Sequence, residues 1–337
     1  MVDLSTDYLG LKLKNPLVPS ASPLSKSLGK ARRLEDAGAS AIVMYSLFEE
    51  ELRVEEAMTE RFLLEPALGH GEASGFLPDL GRYMNSLDRY LDQLRRLKES
   101  LDIPVIASLN GVSLGGWIDL GIELQRAGAD ALELNVYHMA ANAEDSAEAV
   151  EQRYIELLKE LRHAVSLPIA MKLSPYFSSL PNFVRRLEAA GANGIVLFNR
   201  FYQPDIDLDT LSMTDEIHLS TPDDALLRLR WIGILHGRIR LNLAATGGVH
   251  GPDEALKMLL AGADVVHLAS CLLQHGPERL TEILRGIEAW MVEREYESVS
   301  QMKGSMSQQN LPDPGAYARA SYVRVLDSYT PPSGVWR

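Results

Sequence analysis

The sequence predicts an α/β fold: a (β/α)8 TIM barrel with long loops after its strands and a C-terminal tail. Three observations predict it. Four times the chain writes Leu or Met, two residues, then Ala-Gly-Ala and an apolar run, at Leu34 to Ala39, Leu124 to Ala129, Leu187 to Ala192 and Met258 to Ala263. Each copy reads as a helix end turning into a buried strand, because Gly supplies the positive φ that closes a helix and the small alanines let backbones approach. Successive copies are about two strand–helix units apart, at roughly 30 residues a unit, which leaves a further strand between them. Those further strands follow Pro16, Pro104 and Pro168, with a fourth at Ile239 to Ala245. Eight strands that alternate in this way are the imprint of an eight-fold barrel.

In chain order the strands fall at 16–21, 41–46, 103–109, 131–136, 168–174, 194–199, 239–245 and 265–269. They are short continuous apolar runs, as parallel strands buried on both faces require. Amphipathic helices lie between them. Ala147, Val150, Tyr154, Leu157 and Leu161 make one stripe at helical spacing and pack against the barrel. A barrel takes about 250 residues, so one domain is expected over 1–294, followed by an extension over 295–337 with Pro312, Pro314, Pro331 and Pro332. That tail lies outside the barrel, as a docking arm, a subunit contact or a disordered segment.

Two connections are long, Leu47 to Gly81 after strand two and Phe201 to Pro222 after strand six. Both lie at the catalytic face of a barrel, where such loops act as lids. The acidic run Glu49, Glu50, Glu51, Glu55 and Glu56 reads as a solvated helix face.

The formal net charge is −13. It argues against nucleic acid or an anionic membrane as partner, since both need a basic surface. Cys271 is the one cysteine, so an internal disulfide and a cysteine-ligated cluster are excluded, and it reads as a buried small hydrophobe. The chain shows no apolar segment of the roughly 20 residues that span a bilayer and no signal-peptide layout. A cytoplasmic protein with no metal is expected.

Strand seven ends in Ala245-Thr246-Gly247-Gly248-Val249, and strand eight in Leu268-Ala269-Ser270. Barrels bind phosphate at these two loops through backbone amides that no side chain blocks. Other polar residues end other strands: Ser46 on strand two, Ser108 and Asn110 on three, Asn135 on four, Lys172 on five, Asn199 and Arg200 on six. Alternation puts Glu133 and Asn135 on one face, and Ala170 and Lys172 on one face. Lys172 then either pairs with Glu133 or serves a ligand. A phosphate-anchored cofactor would extend its ring over strands four to six, where a lysine stabilises a reduced isoalloxazine and asparagines hold ring edges. This reads as flavin mononucleotide, FMN, across the barrel mouth.

At these residues the chain resembles the dihydroorotate dehydrogenase family in its class 1 form, over about residues 8 to 305. The marks are Asn15-Pro16-Leu17, Leu77-Pro78, Glu133-Leu134-Asn135, Lys172 with Pro175-Tyr176-Phe177, and Thr246-Gly247-Gly248. The resemblance implies an FMN-dependent enzyme that oxidises dihydroorotate to orotate in pyrimidine biosynthesis, with hydride passing to flavin N5 and a proton to a base. It implies flavin contacts from Ser46, Asn135, Lys172, Gly247, Gly248 and Ser270. Ala21, Ser108 and Ala269, at the ends of strands one, three and eight, complete that set. It implies substrate contacts from Asn135 and Asn199, to which Tyr45 and Arg200 are added by register.

The chain departs from the family at several positions. Tyr45 stands where the family has a lysine, His138 at the base position, Ala140 for an asparagine with Asn142 close by, Ala73 for another asparagine, Arg200 for a serine, and Ser22 for a glycine. A flavin-contacting glycine is lost near Ile217. Flavin binding survives these changes better than orotate chemistry. His138 and Lys172 are the catalytic candidates. An imidazole titrates near 6.5, which suits a base at about neutral pH, and Arg200 suits a substrate carboxylate. The expected partners are a small carboxylate substrate, a soluble acceptor or electron-transfer protein, and a further copy of the chain. Three other readings stay open: the same chemistry on a different dihydro or unsaturated acid, a flavin-carrying electron-transfer subunit, and a flavin-free aldolase-type barrel with Lys172 as a Schiff-base lysine.

Overall fold

The structure is a computed structural model that describes residues 2–64, 85–111, 114–200, 202–214, 216–317, 322–328 and 330. Leu77-Pro78, Ala73, Gly81, Phe201 and the Glu56 side chain lie outside the described residues.

The chain opens with a hairpin, β1 (Thr6–Tyr8) and β2 (Leu11–Leu13). The barrel strands follow in alternation with helices: β3 (Leu17–Pro19), α1 (Leu28–Asp36), β4 (Ile42–Phe48), α2 (Glu49–Leu64), α3 (Ser86–Ser100), β5 (Val105–Asn110), α4 (Leu114–Arg126), β6 (Ala131–Asn135), α5 (Ala147–Ala164), β7 (Ile169–Leu173), α6 (Leu180–Ala189) and β8 (Gly194–Leu197). A second hairpin, β9 (Asp205–Asp207) and β10 (Ser212–Thr214), comes next. Then come α7 (Ala225–Leu235), β11 (Asn242–Thr246), α8 (Pro252–Ala261), β12 (Val265–Leu268), α9 (Ser270–His275), α10 (Glu278–Glu293), α11 (Val299–Met302) and α12 (Tyr322–Asp327).

Eight strands form one parallel sheet in the order β3-β12-β11-β8-β7-β6-β5-β4. Its two ends meet where the Ser40 amide donates to the Leu17 carbonyl at 3.1 Å. All eight predicted strands are present; the seventh starts at Asn242 rather than Ile239.

The Ala-Gly-Ala turns explain the alternation. In each copy the amide of the last Ala donates to the carbonyl of the opening Leu or Met: Ala39 to Leu34, Ala129 to Leu124, Ala192 to Leu187 and Ala263 to Met258, at 2.9 to 3.2 Å. The glycines carry φ from 95° to 124°. This is the Schellman closure, whose outer bond brings together the two apolar residues that flank it. The residue after each copy then clips its strand to the strand before. Ser40 Oγ donates to Leu17 O, while Asp130 accepts from Val105 N, Asn193 from Ile169 N and Asp264 from Leu243 N, all at 2.7 to 2.9 Å.

Apolar residues between strands and helices make the larger core. The smaller one fills the barrel: Val18, Val43, Ile106, Ala131, Ala170, Val196, Ala244 and Val265, closed at one end by Tyr8, Leu9 and Leu13 of the first hairpin. Of the stripe expected on α5, Tyr154, Leu157 and Leu161 are buried, whereas Ala147 in the first turn is exposed.

Three expectations need correction. The connection after β4 carries a helix, α2, and its acidic run is not a solvated face throughout. Glu49 is 4% exposed and pairs with Arg53 at 2.7 Å, and Glu55 accepts from the Ser86 amide at 2.7 Å; Glu50 and Glu51 face solvent. The connection after β8 holds the β9–β10 hairpin rather than an open loop. The residues just after Arg294 are packed. Val299 and Met302 are buried, the Gly304 and Met306 amides donate to Leu259 and Leu260 carbonyls, and Lys303 pairs with Asp264 at 2.6 Å. Cys271 is buried as expected, and burial pushes its thiol up to about 11.

Candidate functional site

The polar residues predicted at the strand ends converge on the mouth of the barrel. Ser46 and Ser108 share a hydrogen bond at 2.9 Å across β4 and β5. Asn199 Nδ2 donates to Asn135 Oδ1 at 2.6 Å, which joins the ends of β6 and β8 through a buried amide pair. Asn135 and Lys172 are partners in register on β6 and β7. Lys172 makes the ion pair left open by the sequence, with Nζ 3.1 Å from Glu133 Oε1, and both side chains are buried. Glu133 Oε2 has no hydrogen-bond partner among the described residues; it lies 3.6 Å from His267 Nδ1, too far for a bond. Burial pushes the His267 imidazole down to about 4, so it is neutral at pH 7.

Tyr45 is half-buried. Its ring meets Tyr90 edge-on at 4.8 Å, and Lys26 Nζ sits 5.0 Å from its centroid. The Tyr90 hydroxyl in turn bonds the Ser108 amide and carbonyl, at 3.1 and 3.2 Å. These bonds hold the Ser46–Ser108 corner.

The other side of the mouth is a different environment. Gly247 and Gly248 both have positive φ, 93° and 81°. A Cβ on Gly248 would fall 2.3 Å from the Ala225 amide, so only glycine lets α7 press against this turn. The Gly248 amide donates to Ser220 Oγ at 3.2 Å, and Ser220 Oγ bonds Ser270 Oγ at 2.8 Å. Ala269 is the residue before α9, whose first turn has no side-chain cap. Arg228 from α7 reaches under the turn, with Nε donating to Thr246 O at 3.0 Å and Nη1 to Asp224 O at 2.8 Å. Its Nη2 lies 3.1 Å from where a Gly247 Cβ would stand. Burial lowers its pKa from the usual arginine value, with Asp224 opposing and Arg200 adding to the shift. A cation, two hydroxyls and a side-chain-free turn can hold an anion.

Arg200 is one-third exposed and 4.0 Å from Asp224. Ala21 is half-buried just beyond Ser20, whose amide donates to Leu268 O at 2.8 Å. His138 stands apart from these groups, on the loop after β6. Its Nε2 is 3.1 Å from Arg153 Nη1, and Arg153 also pairs with Asp145 at 2.8 Å. A guanidinium can only donate, so Nε2 accepts and Nδ1 carries the proton. Asn142 is exposed and its Oδ1 accepts from the Glu144 amide at 3.2 Å.

Sequence reasoning missed Arg228, His267, Ser220 and Lys26. Arg228 falls on the same helical stripe as Ala225, Ile232 and Leu235, all buried, so a charge on an apolar face was its signal. His267 alternates with Val265 and shares its inward face.

The family model of dihydroorotate dehydrogenase matches residues 3–291. The catalytic subunit of dihydroorotate dehydrogenase B (NAD(+)) from Methanothermobacter thermautotrophicus is 24% identical over 89% of this chain and 97% of its own length. The subunits of the same name from Pyrococcus abyssi and Methanosarcina mazei are 27% and 26% identical, over 89% and 88% of this chain and 98% and 92% of their own lengths. With the eight-stranded barrel and a match over most of its length, the chain belongs to the dihydroorotate dehydrogenase family, flavin-dependent oxidoreductases that act on CH–CH bonds.

Proposed function

We propose that this chain is an FMN-dependent dehydrogenase that oxidises a small dihydro acid of the dihydroorotate type and passes the electrons to a partner protein or a soluble acceptor. One observation carries the reading. In a chain of net charge −13, the Gly247-Gly248 turn after β11 has the buried Arg228 guanidinium against it and is tied through the Gly248 amide to the Ser220–Ser270 hydroxyl pair. A phosphate monoester fits that donor set. Asn135, Lys172, Ser46 and Ser108 would then meet the ring, with Ala21 and Ala269 beside it. When bound, FMN supplies the hydride acceptor.

The chain's own residues do the rest. Asn135 and Asn199, already joined, offer a fixed amide edge to the substrate, with Tyr45 at its border. Arg200, whose one ion pair among the described residues is the 4.0 Å contact to Asp224, takes a carboxylate through two parallel hydrogen bonds. His138 takes the proton that leaves the carbon next to the hydride donor. For this Arg153 must release Nε2, a rearrangement of the kind catalytic groups undergo on substrate binding. Relatives named as catalytic subunits support an electron-transfer partner.

A second reading keeps the flavin and changes the acid. Asn142 favours it, because it bonds its own loop instead of replacing the amide lost at Ala140. Anaerobic addition of dihydroorotate to the FMN-loaded protein separates the two. Bleaching of the flavin band supports the first reading. Bleaching only by another dihydro acid supports the second, and failure to take up FMN overturns both.

A further inference from the structure

Glu133 is 1% exposed, at the centre of the barrel one layer below the mouth. Its register partner Ala170 is small and apolar. One oxygen meets Lys172 at 3.1 Å and the other meets nothing within bonding distance among the described residues. Beyond it lies His267, fully buried, with neither ring nitrogen bonded among the described residues and its ring centroid 5.9 Å from that of Tyr8, the two rings nearly perpendicular. Tyr8 belongs to the hairpin that closes the opposite end, so this side of the carboxylate is sealed from water. His267 is neutral, its pKa pushed down to about 4 by burial. Lys172 is therefore the one cation paired with Glu133 among the described residues.

Stability does not account for this arrangement. A buried ion pair returns little to folding compared with apolar residues of the same shape, and an unbonded carboxylate oxygen is a further cost. The pair instead limits what Lys172 can do at the mouth. An ammonium shared with a buried carboxylate is not a free cation, and negative charge developing above it must compete with Glu133 for it.

We propose that Glu133 is the counter-ion that positions Lys172 and, through it, holds down the ease with which a flavin at the mouth is reduced. The proposal rests on the FMN reading above. Glu133 is a positioning residue, with no contact to substrate required. Removing its charge while keeping its shape releases the Lys172 ammonium to the reduced ring, which favours reduction.

The test compares the FMN-loaded wild type with Glu133→Gln in an anaerobic redox titration against a reference dye. The expected result is about a tenfold shift of the flavin–dye equilibrium toward reduced flavin, equivalent to about 30 mV for a two-electron couple. Glu133→Asp, which keeps the charge, is expected to stay within about threefold of the wild type. An equilibrium unchanged by Glu133→Gln, or shifted toward oxidised flavin, overturns the proposal. If Glu133→Gln does not fold, the apolar Glu133→Met, which also removes the charge and keeps Lys172, takes its place. The same shift of about tenfold toward reduced flavin is expected, and an unchanged equilibrium overturns the proposal. Failure of the FMN reading itself is distinguishable, because the wild type would then show no flavin band before any titration begins.

Discussion

At the closed end of the barrel, Ser40, Asp130, Asn193 and Asp264 each bond a backbone group of the preceding strand, at 2.7 to 2.9 Å. One layer below the mouth, Glu133 keeps a buried carboxylate oxygen with no bonding partner among the described residues, and at the mouth Arg200 makes one ion pair among them, 4.0 Å from Asp224. Both ends place polar residues on the same strands. At one end their bonding is complete and local, which is what a structural clip needs. At the other, groups stand with capacity to spare, which is a poor way to hold a fold and a good way to meet a ligand.

Asp264→Ala separates the two ends with the largest effect. Asp264 accepts from Leu243 N at 2.7 Å and pairs with Lys303 at 2.6 Å. Loss of a mostly buried pair and a backbone bond is expected to lower unfolding free energy by about 4 kcal/mol in urea titration, with FMN affinity within twofold of wild type. Lost FMN binding at unchanged stability would mean that the closed end also serves the ligand.

Acid comes next. His267 stays neutral in the fold down to about pH 4, whereas an unfolded imidazole takes its proton near 6.5. The unfolded state then binds more protons in that window. Stability is full above about pH 6.5 and falls by about 3 kcal/mol as pH drops toward 4. His236, lowered by burial, adds in the same direction. Urea titrations of His267→Gln across this range should show a flatter decline; an identical decline would assign it to other groups.

At the mouth, Arg228→Met is expected to weaken FMN binding tenfold to a hundredfold, about 1.5–3 kcal/mol for a charged hydrogen bond, read by quenching of flavin fluorescence. The smallest effect is Ser40→Ala. It removes the hydroxyl bond to Leu17 O but keeps the amide bond to the same oxygen, so about 1 kcal/mol of stability is expected to go.

The barrel was legible because its signal is local. A Schellman turn is made within six residues, so Leu34 to Ala39 carries its own structure and its copies could be counted. The strand-end residues were legible for a related reason: a two-residue period places Asn135 above Glu133 without knowledge of the rest. What stayed hidden depends on distant contacts or on an unusual backbone. The first hairpin turns at Leu9-Gly10 with φ of 54° and 76°. Leucine in that region is not a turn signal, because its Cβ disfavours it. Glu49 is drawn inward beside Gly111, Gly116 and Trp117, neighbours that a run of glutamates does not announce. Arg228, on α7, serves a turn on the far side of the next strand, β11. His138 was placed by likeness to a motif, and its bond to Arg153 comes from α5, beyond the reach of local spacing.

The mouth is proposed to be built around a phosphate-bearing flavin. The direct measurement is equilibrium binding of FMN and of riboflavin to the same flavin-stripped protein. One FMN per chain is expected, with riboflavin bound at least about a hundredfold more weakly, the worth of one or two charged hydrogen bonds. Equal affinities, or no binding of either, would contradict it.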